Sequence, residues 1–141
     1  MNKQLWQDTF SVDFQLLAIS SPLPDFQMAW NINEHTHFSL KRAKDHFIEL
    51  KKGYFLNTSC FQHKTENISI KLLKNKLNES EALQAYLIPE MKNMDYFLLI
   101  QDDTEELEIV NVKSTLSKIK NVILIQILDA NRLKSVVNLM T

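Results

Sequence analysis

The sequence predicts an α+β domain: a single, mainly antiparallel sheet with two main helices packed on one face. Three observations carry that reading. Ile68, Ile70 and Leu72 alternate with Ser69 and Lys71, the pattern of an antiparallel strand wet on one side. Two apolar runs, 96–100 and 122–128, have the length and composition of buried strands. Two stripes recur at helical spacing: Phe26, Ala29, Trp30 and Asn33, with Met28 and Ile32 beside them, and then Ile109, Val112, Leu116 and Ile119.

In chain order, Phe10, Val12, Phe14 and Leu16 share one strand face, after which Leu17 and Ile19 take the other phase. A bulge near Leu16, or burial on both faces, explains the switch. Ser20-Ser21-Pro22-Leu23-Pro24-Asp25 then leads into a helix over about 24–34, and Phe26, Met28 and Trp30 are assigned to its core side. Residues 38–42 alternate as a strand. Residues 45–52 fit a strand or one helical turn, and the turn signal Lys51-Lys52-Gly53 that closes them favours the strand. The β-prone stretch 54–61 and the strand 67–73 are read as a hairpin, and 74–81 as a mobile polar loop. Asp102, Asp103 and Thr104 offer caps for a helix over 105–118, and 129–141 carries weak helical spacing. The two strand–helix–strand units suggest a ferredoxin-like or ACT-like arrangement with extra strands.

At 141 residues the chain suits a single domain, with its core over about 10–129. A net charge of −1 weighs against non-specific nucleic-acid or membrane-surface binding as the main role. The single glycine, Gly53, leaves no GxGxxG, Walker A or GxSxG loop, which argues against the common nucleotide folds and α/β-hydrolases. One cysteine, Cys60, permits no intramolecular disulfide and is read as an inert buried thiol. Residues 1–8 lack the apolar core of a signal peptide, and no run is long enough for a membrane span, so the expected location is the cytoplasm.

The most distinctive stretch joins Ile88-Pro89-Glu90 to Asp95-Tyr96 ahead of the apolar run. Two carboxylates can divide acid and base roles when their environments differ. The structural reading weighs more: Pro89 starts a turn, Glu90 suits its positive end, Asp95 bonds free backbone N–H groups at the strand entry, and Tyr96 buries its ring. With Pro-Leu-Pro-Asp before a helix and Leu40-Lys41-Arg42 in a strand, this stretch resembles a family of small bacterial proteins named for the motif IPExxxDY. Four residues separate Glu90 from Asp95 here, where the motif name implies three. That family has no assigned function, so the resemblance implies a single cytoplasmic domain and no particular chemistry.

Other clusters are weaker. His35 and His37, with Glu34 adjacent and His46 or Asp45 distant, are weak metal candidates; no metal or other cofactor is expected. Lys41, Arg42, Lys44 and Lys71, with Lys74 and Lys76, form a candidate basic patch. Lys52-Gly53-Tyr54 resembles the start of an RNA-recognition signature that Phe55 and Leu56 then break. The leading expectation is a non-enzymatic protein-interaction or adaptor domain, docking on a partner protein or on itself through sheet edges. An ACT-like small-ligand regulatory domain is the alternative, and an RNA-associated accessory protein the third reading.

Overall fold

The computed structural model describes residues 12–51, 53–78 and 85–140. Its frame is a six-stranded antiparallel sheet, accompanied by a two-stranded hairpin and two helices. In chain order the elements are β1 (Gln15–Ser20), α1 (Asp25–His35), β2 (Lys41–Arg42), β3 (His46–Lys51), β4 (Tyr54–Thr58), β5 (Cys60–Lys64), β6 (Ile68–Lys74), β7 (Tyr96–Asp102), α2 (Ile109–Leu116) and β8 (Leu124–Leu128). The sheet runs β2-β5-β6-β7-β1-β8, and β3 and β4 pair only with each other among the described residues. Because β7 and β8 both pair antiparallel with β1, they run in the same direction on either side of it, joined through α2.

β1 is buried on both faces from Leu16 to Ile19 and keeps one continuous register with β7 and with β8. The phase switch in its sequence is therefore double-sided burial and not a bulge. Leu17 and Ile19 meet Leu72, Leu98, Ile100 and Ile125 beneath Met28, Ala29 and Ile32 of α1 and Val112 and Leu116 of α2. Both helices thus cover one face. Leu16 and Ala18 point the other way, into a second core closed by Ile48 and Leu56 of the hairpin, Ile88 and Met94 of the motif, and Leu139. Each fully buried leucine or isoleucine contributes about 1.5–3 kcal/mol from its removal from water.

Several expectations are corrected. The stretch 54–61 is not one strand: β4 pairs with β3, the chain crosses layers at buried Ser59, and β5 pairs with β6. The Thr58 hydroxyl fixes this crossing by donating to the Lys74 carbonyl at 2.7 Å. Gly53, at φ +80°, supplies the positive φ of the hairpin turn. The strand expected over 38–42 is two residues long, and the expected C-terminal helix is replaced by 3-10 turns at Ala130–Arg132 and Val136–Leu139. α2 is shorter than expected, and Asp102 caps the turn before it by accepting from the Thr104 and Leu107 N–H groups at 2.9 and 2.8 Å.

Phe26 and Trp30 are exposed because Met28, Ala29 and Ile32 form the inward stripe, leaving residues two positions away on the far side. The strand expected to be buried over 122–128 is β8, which lies at the sheet edge among the described residues with three of its five side chains exposed. The expected loop at 74–81 opens instead with the end of β6 and fully buried Asn75; residues 79–81 of that stretch, like residues 1–8, lie outside the described residues. Among the described residues, no helix is long and apolar enough to cross a membrane.

Candidate interaction surface

The motif forms a corner held by buried hydrogen bonds. Asn75, just past β6, accepts from the Ile88 N–H at 2.9 Å through Oδ1. Its Nδ2 donates to the carbonyls of Met91 and Met94 at 2.9 and 2.8 Å. Its backbone N–H and carbonyl bind the Asp95 carbonyl and the Leu87 N–H. One side chain thus satisfies both ends of the single 3-10 turn Pro89–Met91 and its exit. Asn75 is the residue that sequence reasoning missed; a lone asparagine in a polar run gave no signal.

Ile88 is buried, while Pro89 and Glu90 are exposed. Glu90 accepts from the Ser135 N–H and hydroxyl, each at 2.8 Å, tying the corner to the C-terminal turns. Partial burial opposes its ionisation, but bonds from its own backbone, Ser135 and Lys134 outweigh this and hold the carboxyl below its usual range. Asp95 accepts from the Ser21 N–H at 2.8 Å where β1 leaves the sheet. Buried Tyr96 donates its hydroxyl to the Leu23 carbonyl. Burial first, and then the carboxylates of Asp25 and Asp95, push its pKa up. The two motif carboxylates therefore serve different segments. Beside Asp95, a cleft of about 280 Å³ at the β1–α1 turn is bordered by Lys74, Lys76 and Lys92.

The basic candidates are divided. Lys41 and Lys71 lie in one register row through Gln62, on one sheet face. Arg42 alternates to the opposite face, over the Phe61 ring at 5.7 Å, and forms an ion pair with Asp45. Lys44 is exposed in the β2–β3 connection. His35 and His37 are exposed beside Glu34, Glu106 and Glu108 in a groove of about 510 Å³, and the His35 Nδ1 is 2.8 Å from the Asn31 carbonyl. Among the described residues, no group of three or more His, Cys, Asp or Glu side chains is placed to hold a metal ion. Cys60 is buried in the second core, and burial pushes its thiol pKa up.

Apolar side chains reach solvent in three places. Phe47 and Phe55 are about 60% exposed on the outer side of the hairpin, with Tyr54 near its turn. Phe26 and Trp30 stand one turn apart on α1. On β8, Leu124 is 44% and Ile127 42% exposed, with Ile123 before it at 74%. The opposite sheet edge differs: β2 is two residues long and both are charged, so it is a poor template for pairing. β8 offers five residues, none charged and none proline, and among the described residues it pairs with β1 alone.

No family model, no curated protein and no solved structure matches the chain.

Proposed function

We propose that the chain is a non-enzymatic cytoplasmic interaction domain that docks by strand addition to β8. The observation that carries this is the asymmetry of the sheet edges. The β2 edge is short and charged, whereas β8 presents Leu124, Gln126 and Ile127 to solvent beside a row of outward backbone groups. We read the frame as ferredoxin-like: β1-α1-β6-β7-α2-β8 in the chain, and β6-β7-β1-β8 in the sheet. β2 and β5, with the β3–β4 hairpin, are then an insertion between α1 and β6. In such a frame β8 is an outer strand by topology, so its exposure follows from the fold.

Affinity capture with wild type and with Ile127→Lys as bait tests this. A partner retained by wild type and lost with the variant is expected. Equal retention by both contradicts docking at β8.

A second reading, a small-ligand regulatory domain of ACT-like shape, is favoured by the lysine-bordered cleft at the β1–α1 turn. Such a ligand is expected to be anionic, drawn by Lys74, Lys76 and Lys92. Titration with small carboxylates and with inorganic phosphate, following amide shifts around Ser21 and Asp95, tests it. Shifts confined to that cleft support the reading, and unchanged spectra at millimolar ligand exclude it.

A further inference from the structure

We infer that the occupant of the β8 edge is a second copy of the same chain, paired antiparallel about a two-fold axis through Gln126. This rests on the reading of β8 as the docking edge and adds the partner.

The strand reads Leu124-Ile125-Gln126-Ile127-Leu128, the same in both directions. Antiparallel self-pairing centred on Gln126 sets Leu124 opposite Leu128, Ile125 opposite Ile127, and Gln126 opposite its own copy. A two-fold axis perpendicular to a sheet keeps each face with its like. Ile125 and Ile127 share the helix-side face with Leu17 and Ile19, their register partners on β1. Their apolar row therefore continues into that of the second copy. Leu124, Gln126 and Leu128 occupy the opposite face in both copies. A shift of one residue would set isoleucines of one copy against the face that carries leucine and glutamine in the other, so the side-chain pattern disfavours a one-residue slip, and the Gln126-centred register is the one that pairs all five residues of the strand. No like charges meet within the five paired positions. The glutamines at the axis can bond each other, amide to amide.

The edge is about 17 Å long, and with one layer of side chains on each side it covers on the order of 350 Å² per partner. That lies at the low end of specific interfaces, so the dimer is expected to be weak and concentration-dependent.

Sedimentation velocity between about 10 µM and 1 mM, the range in which a weak interface titrates, is the first test. Wild type is expected to move from monomer toward dimer, and Ile127→Lys to weaken association at least tenfold. The register is tested by oxidation. Gln126→Cys places two thiols across the axis at a Cα separation of about 5 Å, within disulfide reach. Leu124→Cys places them about 14 Å apart. Rapid covalent dimer from Gln126→Cys and little from Leu124→Cys is expected, with wild type, whose Cys60 is buried, as the control.

A wild type that stays monomeric at 1 mM, an assembly insensitive to Ile127→Lys, or equal cross-linking of the two cysteine variants overturns the inference. The docking reading is separated by a synthetic peptide spanning residues 122–130. If the chain is monomeric yet the peptide shifts β8 amides, self-pairing fails and edge docking stands. If neither occurs, both fail.

Discussion

The Asn75 side chain grips Ile88 across a buried corner, its Oδ1 accepting from the Ile88 N–H at 2.9 Å while its Nδ2 reaches the Met91 and Met94 carbonyls. The bond links the end of β6 to the turn that launches β7, the two adjacent strands at the sheet's centre. Asn75→Ala leaves a buried donor and buried carbonyls without partners, and each such group costs about 1–3 kcal/mol. The expected total loss is about 3 kcal/mol, read as a lower urea midpoint with an unchanged m-value. A loss below about 1 kcal/mol would show that the corner holds without its clasp.

The three polar motif residues are expected to act as separate fasteners. Tyr96→Phe removes one donor to the Leu23 carbonyl and should cost about 1 kcal/mol. Asp95→Ala frees the Ser21 N–H and should cost about 1–2 kcal/mol. Glu90→Gln keeps an acceptor for Ser135 and should cost less than about 1 kcal/mol. Urea titration of the three variants checks the order. Stability unchanged in all three, with partner capture lost, would make the corner a recognition site.

His46 gives the fold a pH response. Its Nε2 lies 2.5 Å from the Asn138 carbonyl, so the neutral ring donates there. Burial lowers its pKa below 6.5, the bond to Asn138 partly offsets this, and the Lys71 charge pushes in the same direction as burial. The unfolded chain therefore takes up a proton near pH 6.5 that the folded chain refuses until lower pH. Between those values the unfolded state binds more protons, and stability rises with pH. The contribution is complete above pH 6.5 and is lost as pH falls through the lowered value. His46→Gln should flatten this slope. Urea midpoints at several pH values from 7.5 down to 5, for wild type and variant, check it, and parallel curves would rule out His46 as the source. Glu90 acts in a different window, below its ordinary value of 4.5.

The central strands were legible because burial writes itself into local pattern. Alternation in β6 and apolar runs in β1 and β7 reflect faces set by the pleat of a single strand. The stretch 54–61 misled because β-prone residues continue through Ser59, and nothing local says that Leu56 reaches the second core from the hairpin while Cys60 reaches it from the sheet. Phe26 and Trp30 misled because an aromatic pair one turn apart looks like a core stripe, while smaller Ala29 with Met28 and Ile32 faces inward. The corner's partners were out of reach for another reason. Ser135 is 45 residues from Glu90, and Ser21 is 74 from Asp95, separations that local spacing does not encode. β8 was read as buried because it is apolar, and its place at the edge is a property of strand order.

The claim that β8 is an open pairing edge meets its most direct measurement in amide hydrogen exchange at low and high protein concentration. The β8 amides that turn away from β1 are expected to exchange fast in dilute solution and to gain protection as concentration rises. The amides of β2 at the opposite edge should not change. Protection of the outward β8 amides that is already complete in dilute solution would seat a segment of the chain itself on that edge and contradict the account. Fast exchange at every concentration would leave the edge open and contradict pairing with a second copy.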